Sequence, residues 1–268
     1  MNQIKIAFFD VDGTLLSEKT NQLSEKTKEA VAALKANGII VVAATGRPLS
    51  LCTELQEIGI ESFITANGGY AVDRGQVIHQ TILDAEVVKS ISDYAEKAGH
   101  GLSYMTESFY VNGIQNETFA KTLHETLSLT DYPPLGEAMD KQSIYLLCLY
   151  GNKEMVQPYI EHFPQLTFSR WHDQVVNVLQ EDVSKSVAIK KMLGHFGIDR
   201  VNAIAFGDGG NDIDMIDYVG FGVAMGNGNS ALKAKAQFVT KKASEDGVSY
   251  ALQQLGLIRS DQNATSAG

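Results

Sequence analysis

Short apolar runs alternate with helical patterns over the first 70 residues of the chain. Residues 4–9, 39–44 and 62–66 are mostly apolar, so each is predicted to be a short strand that is buried on both faces. The segment between the first two runs, from Ser24 to Gly38, repeats apolar residues at helical spacing between a typical N-cap residue and a typical C-cap residue. Strands separated by helices predict right-handed βαβ crossovers and a parallel sheet.

The pattern changes in the middle of the chain. Between residues 81 and 184, helical patterns and extended runs follow one another without the regular alternation. The parallel pattern then resumes, with a helix predicted over residues 186–196 and strands over 203–206 and 221–225. The sequence therefore predicts an α/β fold with a parallel-sheet core and an inserted α+β unit. The core is assigned to residues 1–80 and 185–268 and the insert to residues 81–184, with a loose polar tail at 260–268.

The charge balance excludes some classes of partner. The chain has 268 residues, of which 44% are hydrophobic and 20% charged, as in ordinary globular proteins. Its 22 basic and 32 acidic residues give a net charge of −10, which argues against general binding to nucleic acids or to anionic membranes. No apolar run is long enough to span a bilayer. An anionic ligand must therefore be attracted by a local site.

Cysteine usage and the N-terminus predict a cytoplasmic protein. Cys52 and Cys148 lie far apart and lack the spacing of a metal site, which favours a reduced chain with two packed thiols. The N-terminal segment reaches Asp10 too soon for a secretory signal. Nothing in the sequence indicates an obligate protein partner.

Two carboxylates follow the first predicted strand. Asp10 and Asp12 are two residues apart, so an extended chain would direct both side chains to the same side. In open α/β sheets, the carboxyl edge of the strands is where ligands bind. Two carboxylates at that edge repel each other and need a cation or a shared proton. An acidic loop that caps a helix is the alternative interpretation.

Three further clusters lie at comparable positions. The loop from Gly207 to Asp212 follows an apolar strand and offers the oxygen ligands that Mg²⁺ prefers, in Asp208, Asn211 and Asp212. Thr45-Gly46-Arg47 also follows a strand, and its hydroxyl and backbone N–H groups suit an anion. Lys185 lies at the start of a predicted helix, where a positive charge opposes the helix dipole unless an anion accompanies it. For each of these, an ordinary loop or a surface lysine is the alternative.

The segment 226–231 fits the dinucleotide-binding pattern G-x-G-x-x-A. That fingerprint requires a full second strand that ends at an acidic residue, and only residues 237–240 are available for it. We therefore predict that this segment binds no nicotinamide or flavin cofactor.

Taken in chain order, the four clusters are Asp10-Val11-Asp12-Gly13-Thr14, Thr45-Gly46-Arg47, Lys185 and the loop from Gly207 to Asp212. This ordered set resembles the signature motifs of the haloacid dehalogenase-like (HAD) hydrolase superfamily. The insert between the second and third clusters resembles the type IIB cap of Cof-type phosphatases. The resemblance spans nearly the whole chain and implies a Rossmann-like core with an α+β cap domain. It also implies a Mg²⁺-dependent phosphatase that acts on a small phosphorylated metabolite, expected to be a sugar phosphate.

The resemblance also assigns roles to individual residues. It makes Asp10 the nucleophile that forms an aspartyl-phosphate, and Asp12 the general acid and base. The other implied roles are Mg²⁺ binding by Asp10, Asp12, Asp208 and Asp212, phosphate binding by Thr45, Gly46, Lys185 and Asn211, and possible substrate contacts by Arg47 and Asn67. The sequence departs from the family pattern at Ser186, where glycine is usual, and at Asn177, where an acidic residue is frequent. A phosphohexomutase and a non-catalytic regulator that binds phosphorylated metabolites remain alternatives.

Overall fold

The computed structural model describes residues 3–127 and 129–259, so the predicted loose tail lies outside the described residues. The strands in this part of the chain are β1 Ile6–Phe9, β2 Ile40–Ala44, β3 Ser62–Thr65, β4 Tyr70–Asp73, β5 Gln76–Gln80, β6 Gly101–Met105, β7 Phe109–Val111, β8 Leu146–Tyr150, β9 Leu166–His172, β10 Val175–Gln180, β11 Ala203–Gly207, β12 Phe221–Ala224 and β13 Phe238–Val239. The α-helices are α1 Glu25–Ala36, α2 Thr53–Glu57, α3 Ala85–Ala98, α4 Glu117–Leu127, α5 Lys153–His162, α6 Lys185–Phe196, α7 Ile213–Tyr218, α8 Ser230–Lys235 and α9 Gly247–Gln254.

The larger sheet has the strand order β13-β12-β11-β1-β2-β3-β4-β5. Its strands from β13 to β3 pair in parallel, with β1 between β11 and β2, whereas β4 pairs antiparallel to β3. Ile6 and Phe8 pack in one core cluster with residues of α6, α7 and α8. Ala7 and Phe9 alternate with them and are also fully buried, which explains why this strand is apolar at every position.

The smaller sheet is antiparallel and has the order β7-β6-β8-β10-β9. One of its faces packs against α3 and α5 around a second apolar cluster that includes Ile91, Leu147, Tyr159 and Val178. A parallel sheet and a separate antiparallel sheet confirm the predicted α/β core with an inserted α+β unit.

The contacts divide the chain into two units. The first contains residues 3–46, 52–79 and 184–259, and the second contains residues 47–51 and 80–183. The short segment 47–51 is grouped with the second unit, although the sequence analysis assigned it to the core.

The parallel strands end at a common edge of the larger sheet. β1 ends at Phe9, β2 at Ala44 and β11 at Gly207, so the three polar clusters of the sequence analysis follow directly after neighbouring strands. Ser184 caps α6 through a hydrogen bond from the backbone N–H of Val187, which places Lys185 in the first turn of that helix. Among the described residues, no helix has both the length and the apolar character needed to cross a membrane.

Candidate active site

A buried lysine bridges two carboxylates at this edge. The Lys185 Nζ atom lies 2.6 Å from Asp10 Oδ1 and 2.6 Å from Asp212 Oδ1. Asp10 follows β1, Lys185 begins α6 and Asp212 lies five residues beyond β11, so three distant segments meet here. Lys185 is 1% exposed, Asp10 5% and Asp212 0%. A fully desolvated lysine is stable in a fold only when it is paired in this way.

The carboxylate of Asp212 also organises its own loop. Its Oδ2 atom accepts hydrogen bonds from the backbone N–H groups of Asp208, at 3.0 Å, and Gly209, at 2.9 Å. Since Oδ1 accepts from Lys185, both oxygens of Asp212 are engaged. Asp212 therefore fixes the lysine and the loop of Asp208 at the same time.

Three acidic groups converge on one point beside Lys185. Asp10, Asp208 and Asp212 each offer a carboxylate oxygen, and these oxygens lie within 4.8 Å of one another. One ammonium group cannot neutralise three carboxylates. Oxygen ligands of this kind suit a hard divalent cation such as Mg²⁺.

The ionisation of these groups reflects the crowding. Burial raises the pKa of Asp10 well above its usual range, and the charge of Asp212 raises it further, although Lys185 opposes both effects. Burial and the charge of Asp212 likewise raise the pKa of Asp208 to about 7. Burial alone would lower the pKa of Lys185, but the carboxylates of Asp10 and Asp212 raise it above its ordinary value. The lysine therefore keeps its charge, whereas Asp10 and Asp208 hold their protons more tightly than ordinary aspartates.

This crowding predicts how stability depends on pH in the metal-free protein. The pKa of Asp208 is about 7 in the fold and near 3.8 as an ordinary aspartate, so the folded state binds more protons than the unfolded state between these values. Stability must then fall as the pH rises through this window. The free energy of unfolding is measured in urea with a chelator for the wild type and for Asp208→Asn. We expect the wild-type value minus the variant value to decrease from about pH 5 to about pH 8. A constant or increasing difference would contradict this assignment.

Asp10 and Asp12 differ in their exposure. Both residues lie just beyond the end of β1 at Phe9, and Asp12 forms an isolated β-bridge with Leu16. Asp10 is buried, whereas Asp12 is exposed. The charge of Asp12 nevertheless raises the pKa values of Asp10 and Asp208, so the three carboxylates are electrostatic neighbours.

A second network joins the remaining core residues. The backbone N–H of Thr45 donates to Ile64, and its carbonyl accepts from the N–H of Asn67 at 3.0 Å. Asn67 adopts a left-handed conformation with φ of 52°, and its Oδ1 accepts from Asn211 Nδ2 at 3.1 Å. A Cβ atom on Gly46 would lie 3.1 Å from the Asn67 amide nitrogen. The structure thus brings Thr45, Gly46, Asn67 and Asn211 together.

Arg47 is the one predicted site residue that belongs to the second unit. Its guanidinium donates to the carbonyl of Leu51 at 3.3 Å, within that unit.

Two glycines allow the backbone to approach these groups closely. Gly13 has φ of 80°, and a Cβ atom there would lie 2.4 Å from Asp208 Oδ2. Gly68 has φ of 105°, and a Cβ atom there would lie 2.1 Å from the carbonyl oxygen of Ser184. Both positions therefore exclude any side chain.

Two polar residues that support the site, Asn227 and Asp214, were not predicted from the sequence. The Asn227 amide contacts both Gly13 and Asp208, and the Asp214 carboxylate accepts from the backbone N–H of Ser186 at 2.8 Å. Asn227 lies after β12, at the same sheet edge as the other clusters, and this position was the available signal.

Comparison with known proteins identifies the family. Residues 7–252 match the sequence profile described as haloacid dehalogenase-like hydrolase. "Putative phosphatase YkrA" of Bacillus subtilis (strain 168) is 36% identical over 257 residues, which cover 95% of this chain and 99% of that protein. A hypothetical protein of Geobacillus kaustophilus HTA426 has a crystal structure with a TM-score of 0.87 and 37% identity, over 95% of this chain and 100% of that one.

A third similar structure is that of BT4131, described as a sugar phosphatase of HAD subclass IIB. It has a TM-score of 0.83 and 32% identity, over 95% of this chain and 100% of that one. These similarities confirm the family and the fold expected from the four ordered motifs. The chain therefore belongs to the haloacid dehalogenase-like hydrolases and is a phosphatase, an enzyme that hydrolyses phosphoric monoesters.

Proposed function

We propose that the protein is a Mg²⁺-dependent phosphatase that hydrolyses small phosphorylated metabolites, chiefly sugar phosphates, through an aspartyl-phosphate on Asp10. The observation that carries the proposal is the buried arrangement of Lys185 between Asp10 and Asp212, with Asp208 beside them. A carboxylate nucleophile and a phosphate dianion repel each other, so attack requires positive charge on both sides of the reacting group. Lys185 supplies one such charge.

The residues present fit a magnesium ion. The clustered side-chain donors are carboxylate oxygens, and the pKa values of Asp10 and Asp208 are raised by burial and by neighbouring carboxylates, as expected for groups that share a cation. Asp10 and Asp208 would hold the ion, together with the backbone carbonyl of Asp12, and Asp212 would support it from the position described above. When bound, Mg²⁺ would supply positive charge for the phosphoryl group and its oxygens.

The phosphoryl group would be bound by residues of the second network. Thr45 and Gly46 follow β2 and would donate a hydroxyl and backbone N–H groups, while Lys185 at the start of α6 and Asn211 after β11 would contact the same group. Asn67 accepts a hydrogen bond from Asn211 through its side-chain oxygen and would also contact the substrate, as the family resemblance implies. Arg47 stays a predicted substrate contact on the basis of the family resemblance.

The reaction would proceed in two steps. In the first, an Asp10 oxygen forms a bond to phosphorus while the ester P–O bond breaks, and Asp12 donates its proton to the leaving alkoxide. In the second, Asp12 accepts a proton from water, the water oxygen bonds to phosphorus, and the Asp10–phosphorus bond breaks to release inorganic phosphate. The exposed position of Asp12 suits exchange of a proton with both the leaving group and water.

Similarity to a sugar phosphatase supports the proposed substrate class. BT4131 is named a sugar phosphatase and resembles this chain over nearly its whole length. A cytoplasmic location is proposed with it, since phosphorylated metabolites are found there and the composition predicts that compartment.

A phosphatase assay tests the proposal directly. We expect the protein to release phosphate from p-nitrophenyl phosphate in Mg²⁺ and to lose this activity in a chelator, since the acidic cluster then lacks its cation. A panel of sugar phosphates and other phosphorylated metabolites, scored by phosphate release, identifies the substrate class. Isomerised sugar phosphate with little free phosphate would instead indicate a mutase, and activity that is equal in chelator would refute the metal dependence.

A further inference from the structure

We propose that Asn227 is a positioning residue, whose amide holds the Asp208 carboxylate in the orientation that binds Mg²⁺. This inference rests on the proposed function and extends it to a residue outside the four motifs. Within the described part of the chain, the Asn227 side chain forms three hydrogen bonds, each with a group of the site or of its supporting loops.

The amide nitrogen of Asn227 makes two of these hydrogen bonds. Nδ2 donates to Asp208 Oδ2 at 3.0 Å and to the carbonyl oxygen of Gly13 at 2.8 Å. It therefore ties the loop after β11 to the loop after β1, and these two loops carry the acidic residues of the site. Because an amide has only two N–H groups, both donors of Asn227 are committed to these loops.

The amide oxygen of Asn227 makes the third hydrogen bond. Oδ1 accepts from the backbone N–H of Ala243 at 3.0 Å. This bond fixes which end of the amide faces Asp208, since the reversed amide would place its oxygen against a carboxylate and a carbonyl and its N–H₂ against another N–H. The orientation that donates to Asp208 is thus set by a group outside the site.

Asp208 is confined on its other sides as well. The Cα atom of Gly13 packs so closely against the Asp208 carboxylate that a Cβ there would lie 2.4 Å from Oδ2. The backbone N–H of Asp208 donates to Asp212, and its carbonyl accepts from the N–H of Asn229 at 3.3 Å. The backbone of Asp208 is therefore held independently, and the Asn227 amide is what orients the carboxylate.

General metal chemistry indicates how the hydrogen bond from Asn227 to Asp208 should affect Mg²⁺ binding. Groups that hydrogen-bond a metal ligand orient it before the ion arrives, and their loss commonly weakens binding by about 10- to 100-fold. Without the Asn227 amide, the Asp208 carboxylate would be free to rotate and would have to be ordered when the ion binds. Removal of the amide should therefore lower the affinity for Mg²⁺. Once the site is saturated, the same ligands surround the ion and turnover should be largely restored.

The test measures Mg²⁺ binding by isothermal titration calorimetry on chelator-treated protein. We expect Asn227→Ala to raise the Kd for Mg²⁺ by about 10- to 100-fold. We also expect kcat with p-nitrophenyl phosphate to stay within a few-fold of wild type at saturating Mg²⁺, with the activation curve shifted to higher concentration.

Asn229→Ala is the matched control. Asn229 lies two residues away and caps α8 by accepting from the N–H of Leu232 at 2.9 Å, while its bond to Asp208 comes from its backbone. We expect its truncation to lower the thermal midpoint, through loss of the cap, and to leave the Kd for Mg²⁺ unchanged.

Each outcome decides a separate question. An Asn227→Ala protein that loses thermal stability but keeps the wild-type Kd would overturn the proposal, and so would one that does not fold even in saturating Mg²⁺, since Asn227 would then serve the fold alone. Wild type that binds Mg²⁺ but hydrolyses no phosphoric monoester in the panel would refute the proposed function and leave the inference about Asn227 intact.

Discussion

Asp10→Asn is expected to abolish phosphate release, by at least about 10⁴-fold in kcat, because an amide cannot form the phosphorylated intermediate. The same change is expected not to destabilise the metal-free protein at neutral pH. The pKa of Asp10 is raised by burial and by Asp212 in spite of the adjacent Lys185, so its ionised form is disfavoured in the fold. Phosphate release and urea unfolding in a chelator measure the two effects.

Asp73→Asn is the matched control for this experiment. Asp73 ends β4 and is buried, and it accepts hydrogen bonds from Ser62 at 2.7 Å and from His195 at 3.1 Å. Although burial favours its neutral form, these partners lower the pKa of Asp73, so its charge stabilises the fold above its ordinary pKa. The control should therefore lose stability and keep activity, the reverse of Asp10→Asn. Wild-type turnover by Asp10→Asn would remove the nucleophile assignment.

Lys185→Met is expected to have the largest effect on stability. Without the ammonium group, the buried carboxyl groups of Asp10 and Asp212 lose their cationic partner, and breaking a buried pair in this way costs about 3–5 kcal/mol. Activity is expected to be lost as well, because the phosphoryl group loses its cationic partner. Urea unfolding in a chelator, with the exposed Lys190→Met on the same helix as control, measures the stability difference.

A double variant shows whether the charge of the carboxylates causes the loss of stability in Lys185→Met. Adding Asp10→Asn to Lys185→Met removes one of the unpaired carboxylates, so part of the lost stability should return. If the two changes are instead additive, or if Lys185→Met is as stable as Lys190→Met, the ion cluster does not control stability as described.

Much of the fold could be predicted because burial leaves a direct trace in the sequence. β1 and β2 are covered on both faces, so almost every position in them is apolar, and the caps of α1 and α6 are ordinary serines. The neighbouring strands β4 and β5 were not predicted. The turn between them uses left-handed backbone at Arg74, with φ of 46°, and Gly75, with φ of 79°, and arginine gives no signal for that conformation.

The candidate site could be predicted as a set of residues but not as a set of contacts. Ordered motifs at strand ends indicated that Asp10, Lys185 and Asp208 converge, since parallel strands end at one edge. The sequence could not show that Asp212 holds both the lysine and the loop backbone, because this depends on which oxygen meets which donor. It could not show the exposure of Asp12 either, because that depends on where the strand ends.

The approach of Gly68 to Ser184 gives a residue without any functional group a decisive place in the chemistry. Ser184 is the cap of α6, so a methyl group at position 68 would displace the beginning of that helix. The ammonium group of Lys185, the next residue, lies 2.6 Å from an oxygen of Asp10 and 2.6 Å from an oxygen of Asp212, so a shift of the helix would break these contacts. We therefore expect position 68 to tolerate substitution as poorly as Asp10 does, and less well than the residues beside it. A survey that ranks positions by side-chain chemistry alone would overlook this glycine.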